Sequence, residues 1–146
     1  MGMTSAAEAL LEAYNEHDLA AVTACYRDDA THVDVASGRP KVGPDAIAGG
    51  LGYLLTAFPD AAWHTEAAVE QGDVTAVRYR LTGTLQGAFG DFEPHGQALD
   101  LPGVLWLELS AGAIAHSVDF WDSGSFTKQM RATHSATRSA AAKEKS

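Results

Sequence analysis

The chain has little cysteine and no long hydrophobic run. Of its 146 residues only Cys25 is a cysteine, so no internal disulfide can form. The amino-terminal stretch MGMTSAAEALLEAYNEHD is acidic and lacks both a basic region and an unbroken apolar segment, so it predicts no signal peptide. No run approaches the length of a transmembrane helix. We therefore expect a cytoplasmic protein that does not interact with membranes.

Positive charge is also scarce. Up to Thr127 the chain carries five Lys/Arg against 18 Asp/Glu, a net charge of −13, and the remainder carries five against one, a net charge of +4. An acidic body repels phosphates, so we expect no nucleic-acid partner. The basic end is rich in Ala and Ser. We predict one domain over residues 1–130 and a flexible basic tail over residues 131–146.

Several motifs that would define a function are missing. The sequence holds no GxGxxG, no GxxxxGK[ST] and no GxSxG, so nucleotide binding and serine hydrolysis have no support. Its six histidines match no metal-ligand spacing such as HExxH. We predict neither a cofactor nor a metal.

The order of elements predicts an α+β fold. Ser5 and Asp18 are expected to cap two helices, and Pro44 is expected to open a third that ends before Pro59. ATHVDV alternates like a strand, and four longer alternating segments follow Ala61. We predict a cone-shaped, curved antiparallel sheet wrapped around the amino-terminal helices.

The last hairpin predicts an inner and an outer face. With Ala111-Gly112 as a two-residue turn, one face carries apolar residues together with two groups that can do chemistry, and its members include Leu105, His116, Phe120 and Asp122. A carboxylate on such a face can act as an acid or base, although Asp122 could equally cap the following helix. His116 is either a pocket residue or a core histidine.

The opposite face of that hairpin, in the same register, carries Trp106, Glu108, Ser117, Asp119 and Trp121. This mixture is too aromatic for plain exposure to solvent. It predicts a sheet-to-sheet homodimer interface.

Two further segments supply polar candidates. THVDV places His32 and Asp34 on one face, directed either to solvent or into a polar pocket. A Gly72-Asp73 hairpin would direct Tyr79 inward, opposite Glu66, with His64 two residues along. These side chains are candidates for substrate binding.

Several stretches resemble the nuclear-transport-factor-two-like superfamily, an α+β cone with a deep pocket. YNEHDLAAVTACYRDDATHVD resembles its opening, and GPDAIAGGLGYLLTAFPD resembles its next helix. The segment from TGTLQG to FTKQM is similar to the second half of SnoaL-like polyketide cyclases. Asp34 matches the proton-abstracting aspartate of ketosteroid isomerases, but their oxyanion donors align with Leu10 and Leu105.

The resemblance to SnoaL-like cyclases implies a function. Their aspartate matches Asp122, which implies that Asp122 is the acid/base of a cofactor-free intramolecular aldol cyclisation of a hydrophobic, polyketide-like molecule, assisted by Asp34, His32 and His116. Two alternatives stay open. One is a cofactor-independent oxygenase or epoxide hydrolase in the same pocket, and the other is a non-catalytic small-molecule binding protein.

Overall fold

The computed structural model describes residues 4–131, which form one six-stranded sheet with helices packed against it. The elements in chain order are α1 (Ser5–Glu16), α2 (Leu19–Ala24), β1 (Tyr26–Asp34), β2 (Pro40–Val42), α3 (Pro44–Ala57), β3 (Ala62–Gln71), β4 (Val74–Thr84), β5 (Ala98–Ser110) and β6 (Ala113–Trp121). Residues 123–131 are helical and are called α4 below. The α+β fold class is confirmed. The predicted tail lies outside the described residues, apart from Arg131 at the end of α4.

Local chemistry explains where the helices begin. Thr4, rather than Ser5, caps α1, since its hydroxyl accepts a hydrogen bond from the Ala7 amide at 3.1 Å. Asp18 caps α2 as predicted, accepting from the Ala21 amide at 3.1 Å. Pro44 is the first residue of α3, where its missing N–H costs nothing.

The strand order is β2-β1-β6-β5-β4-β3. Every neighbouring pair is antiparallel except β1 and β6, which run parallel. The parallel pair places His32 beside Ser117 and Asp34 beside Asp119, with each pair on one face. Two polar pairs are thus assembled at the centre of the sheet.

Two β-bulges change which residues face inward. In β6, Ile114 pairs with Leu109 but His116 pairs with Glu108, so Ala115 is an extra residue. In β3, Thr65 pairs with Tyr79 but Ala67 pairs with Arg78, so Glu66 is extra. Since side chains alternate along a strand, each bulge reverses the facing of every residue beyond it.

The concave face of the sheet and the helices enclose the hydrophobic core. Helix α1 is fixed to β3 by Asn15, whose side chain donates to the Trp63 carbonyl at 3.0 Å and accepts from the Trp63 amide at 2.7 Å. The Tyr14 and Trp63 rings pack with centroids 4.9 Å apart. These contacts hold α1 across the sheet, so that helices and sheet leave a space between them.

Candidate active site

A cavity of about 550 Å³ lies between the concave face and the helices. This volume is in the range of small-molecule sites. Most of its walls are apolar or aromatic, contributed by residues that include Val22, Ile47, Leu51, Leu54, Trp63, Leu81, Leu99, Leu101 and Phe126. Its titratable side chains other than tyrosine are His32, Asp34, Lys41 and Asp119.

Aromatic rings close one side of the cavity. The segment between β4 and β5 brings Phe89 within 5.4 Å of the Phe126 ring centroid, and Trp121 lies 5.8 Å from the same ring. Tyr53 stacks on Phe89, and its hydroxyl accepts a hydrogen bond from the Gly90 amide at 2.8 Å. This wall suits a hydrophobic, ring-containing ligand.

The β6 bulge directs Asp119 into the cavity. Beyond Ala115 the inward residues are Ser117, Asp119 and Trp121. Tyr79, on β4, donates a 2.6 Å hydrogen bond to Oδ1 of Asp119. Asp119 therefore has one fixed donor and a side chain open to the cavity.

Asp34 is held by a second set of contacts. Nε2 of His32 lies 3.4 Å from Oδ1 of Asp34, and the indole N–H of Trp121 approaches the same oxygen at 3.5 Å. Nδ1 of His32 lies 2.6 Å from the Ser117 hydroxyl, which is 2.9 Å from the Tyr26 hydroxyl. A hydrogen-bonded row thus runs from the core to Asp34.

The protein shifts the pKa values of the two carboxyl groups in opposite directions. Burial raises the pKa of Asp119 to about 7, and the charge of Asp34 adds to this effect while the Tyr79 hydrogen bond opposes it. Burial would also raise the pKa of Asp34, but the hydrogen bond and charge of His32, with help from Lys41 and Trp121, lower it below the ordinary value. At neutral pH Asp34 is ionised, whereas Asp119 exchanges its proton readily.

Tyr79 is suited to remain a donor. Burial raises the pKa of its hydroxyl far above the ordinary value, and the neighbouring Asp119 charge raises it further. The phenol therefore stays protonated throughout the pH range in which Asp119 titrates.

Three of the predicted site residues line the cavity, namely Asp34, His32 and Tyr79. Asp34 and His32 face the pocket rather than solvent, since they lie on the concave face of the sheet beside Asp119 and Ser117 of β6. Tyr79 faces inward because β4 pairs regularly with β5 along its whole length.

Asp122 does not line the cavity, which corrects the prediction of an inward carboxylate. It is exposed, and it accepts hydrogen bonds from the Gly124 amide at 3.0 Å and from the Ser125 hydroxyl at 2.7 Å. These bonds lower the pKa of Asp122. Asp122 is the helix cap that was the alternative interpretation.

The bulges also explain the other misplaced residues. Phe120 and His116 lie beyond the extra Ala115 and face outward, where Phe120 is 45% exposed and His116 accepts or donates a 2.6 Å hydrogen bond with Thr31. His64 lies beyond Glu66 and is exposed, within 3.1 Å of the Thr82 hydroxyl. Leu105 does face inward, but it is buried in the core and does not reach the cavity.

The sequence analysis missed Asp119, Ser117 and Trp121 by assigning them to the outer face. One signal was present, since a face with two carboxylates and two tryptophans was already too aromatic for plain exposure to solvent. Lys41 was missed because it lies in SGRPKVG, which has the composition of a turn.

The chain belongs to the SnoaL-like polyketide cyclase family, whose sequence profile matches residues 4–130. No curated protein matches the chain significantly. Among the described residues, no helix is long and apolar enough to cross a membrane.

Solved structures share the fold. A candidate polyketide cyclase from Xanthomonas campestris superposes with a TM-score of 0.79 at 20% identity, covering 86% of this chain and 93% of that one. IdmH, a candidate polyketide cyclase from Streptomyces antibioticus, superposes with a TM-score of 0.76 at 21% identity, covering 86% of this chain and 95% of that one. AclR, a candidate hydroxylase from Streptomyces galilaeus, superposes with a TM-score of 0.72 at 23% identity, covering 81% of this chain and 77% of that one. At these identities the structural likeness establishes the fold alone.

Proposed function

We propose that this protein is a cofactor-free acid/base enzyme that closes a ring in a hydrophobic, polyketide-like molecule by intramolecular aldol addition. One observation carries the proposal. Two carboxylates, Asp34 and Asp119, occupy neighbouring positions on parallel strands in one largely apolar cavity, and their environments drive their pKa values apart. Such divergence is typical of acid/base catalysis.

Asp119 takes the role that the sequence analysis assigned to Asp122. As a carboxylate it removes a proton from a carbon next to a substrate carbonyl, leaving an enolate. The enolate carbon then attacks a second carbonyl of the same molecule, forming the C–C bond and an alkoxide. The alkoxide takes the proton back from Asp119, so the enzyme ends in its starting state and no external reductant or oxidant is consumed.

A pKa of about 7 suits both halves of this cycle. General acid/base catalysis works best when the pKa of the group lies near the working pH, and it contributes about 10²–10⁴-fold. Asp34 supports the cycle by remaining ionised beside Asp119. Tyr79 supports it by fixing the Asp119 carboxylate through Oδ1, which leaves Oδ2 for the substrate proton.

A single cysteine suits a reducing compartment, and we place the proposed reaction in the cytoplasm.

The proton-transfer step can be tested without the natural substrate. The probe is α-tetralone, a bicyclic ketone whose α-protons exchange slowly with water at neutral pH. Deuterium incorporation in D₂O is followed by NMR for the unmodified protein, Asp119→Asn and the matched control Asp122→Asn. We expect the unmodified protein and Asp122→Asn to accelerate exchange equally, and Asp119→Asn to lose about 10²-fold or more.

Two results would contradict the proposal. If Asp119→Asn exchanges tetralone as fast as the unmodified protein, Asp119 is not the acid/base. If no variant accelerates exchange although tetralone binds, the cavity belongs to a non-catalytic binding protein.

Epoxide hydrolysis is a second candidate, favoured by the pairing of an ionised Asp34 with a protonatable Asp119. Asp34 would activate water and Asp119 would protonate the epoxide oxygen. Against this candidate, no arginine of the described chain lines the cavity to complete an Asp-Arg-Asp set. Turnover of an aryl epoxide, but no exchange of tetralone, would select it.

A further inference from the structure

Lys41 lies inside the cavity although it belongs to a short edge strand. It pairs with His32 across the β1–β2 ladder, so the two side chains share the inner face of the sheet. Lys41 is half-buried and lines the cavity together with Ser37. Among the described residues that line the cavity it is the only lysine or arginine.

A glycine on α3 makes room for this side chain. A Cβ on Gly50 would lie 2.6 Å from Cε and 3.2 Å from Nζ of Lys41, so a larger residue would require the end of this side chain to shift. A Cβ on the neighbouring Gly49 would face open space, with no atom within 4 Å. The end of the Lys41 side chain therefore packs directly against α3 at Gly50.

The ammonium group of Lys41 has no ion-pair partner within the described chain. No Asp or Glu of residues 4–131 forms an ion pair with its ammonium group. The charge of Lys41 lowers the pKa of Asp34, but the two side chains form no ion pair, and Oδ1 of Asp34 is engaged by His32 and Trp121. An ammonium group that lines a largely apolar cavity and forms no ion pair is available to bind an anion.

We propose that Lys41 is an anion subsite that binds the carboxylate of the substrate, so that the preferred ligand is a hydrophobic acid rather than a neutral ester or amide. This inference rests on the proposed function only in taking the cavity as the substrate site. The carboxylate lies at the β2–α3 side of the cavity, and the ring system extends along the aromatic wall. Asp34 and Asp119 disfavour an anion near them, so they restrict the carboxylate to the side occupied by Lys41.

The subsite is tested by binding alone, with a matched pair of probes that carry no acidic C–H bond and cannot react. The probes are sodium naphthoate and its neutral isostere, naphthamide, titrated by calorimetry at pH 7. The variants are Lys41→Met, which keeps the length but not the charge, Lys41→Arg and Gly50→Ala. The controls are Lys128→Met, an exposed lysine of α4, and Gly49→Ala.

The unmodified protein should bind naphthoate about tenfold or more tightly than naphthamide. Lys41→Met should remove that preference by weakening binding of the acid and leaving binding of the amide unchanged. Gly50→Ala, which shifts the end of the Lys41 side chain, should reduce the preference. Lys41→Arg should retain most of it, and both controls should retain all of it.

Equal affinities for the two probes in the unmodified protein, or binding of neither, would overturn the proposal. So would a preference that survives in Lys41→Met, which would reduce Lys41 to a group that only lowers the pKa of Asp34. Because binding requires no turnover, Asp119→Asn should keep the acid preference even though it abolishes exchange. Loss of exchange and loss of acid preference therefore report separately on the proposed function and on the subsite.

Discussion

Tyr79 reaches Asp119 across an intervening strand. Tyr79 is on β4 and Asp119 on β6, and their 2.6 Å hydrogen bond passes over β5 at Gly103, the residue paired with Tyr79. A Cβ on Gly103 would overlap Oη and Cζ of Tyr79. The missing side chain at Gly103 is therefore what lets the phenol lie flat against the sheet and contact the carboxylate.

Gly103→Ala should disrupt the site without unfolding the protein. The added methyl group moves the phenol, so Asp119 loses its donor and tetralone exchange falls by about tenfold or more. The matched control is Gly83→Ala on β4, where a Cβ meets its neighbours only at ordinary van der Waals distances of 3.4–3.5 Å. Exchange rates and circular dichroism of the two variants provide the check. An active Gly103→Ala would show that the Tyr79 contact is dispensable.

Tyr79→Phe should shift the pH dependence of exchange upward. The Tyr79 hydrogen bond favours the ionised form of Asp119 and so lowers its pKa, which lies at about 7 with the bond in place. Removing the bond raises that pKa, and the midpoint of the pH-rate profile should follow. A profile that falls in amplitude but keeps its midpoint would mean that Tyr79 has only a structural role.

Asp119→Asn should stabilise the protein at high pH. Since folding raises the pKa of Asp119 from 3.8 to about 7, the folded state loses stability as the pH rises through that interval, by up to about 4 kcal/mol. The asparagine variant lacks this loss. Urea denaturation should therefore show its advantage over the unmodified protein growing between pH 5 and pH 8.

Asp122→Asn is the control for that experiment. The pKa of Asp122 is lowered, not raised, so its ionisation is complete above pH 5 and its effect on stability should be constant between pH 5 and pH 8. If the gain in stability from Asp119→Asn is also constant between pH 5 and pH 8, Asp119 has an ordinary pKa in the folded state.

The outer face of the sheet predicts a homodimer. Trp106 on β5, Phe120 on the neighbouring β6 and Val35, just after β1, are 37%, 45% and 49% exposed. Burial of these side chains against a second copy would remove them from water. Sedimentation at tens of micromolar should give a dimer, and Phe120→Glu should give a monomer. A monomeric unmodified protein would contradict the prediction.

The helices, most of the strands and the turn at Ala111-Gly112 follow from capping residues and periodicity, which are local properties of the chain. The facing of residues beyond Ile114 in β6 did not follow, because a bulge needs only one extra residue and Ala115 carries no signature of it. The pairing Leu109–Ile114 was predicted correctly, and everything after the bulge was reversed. The same error occurred in β3, where Ala68–Val77 was correct and His64 was not.

The candidate site was therefore only half predictable. Alternation predicted that Tyr79 faces inward and that His32 and Asp34 share one face, but it left open whether that face met solvent or a pocket. Asp119 depends on Ala115, and its partnership with Asp34 depends on the parallel pairing of β1 with β6, which joins segments 85 residues apart. Such long-range register has no local signal in the sequence.

The pKa of Asp119 tests the central claim most directly. Proteins labelled with ¹³C at the aspartate carboxyl carbons, unmodified and Asp119→Asn, are titrated by NMR from pH 3 to pH 9. We predict one resonance with a midpoint near 7 that is absent from Asp119→Asn, while the resonance of Asp34 titrates below the ordinary aspartate range. A spectrum in which the Asp119 resonance titrates near pH 4, like that of an exposed aspartate, would contradict the assignment of Asp119 as the acid/base.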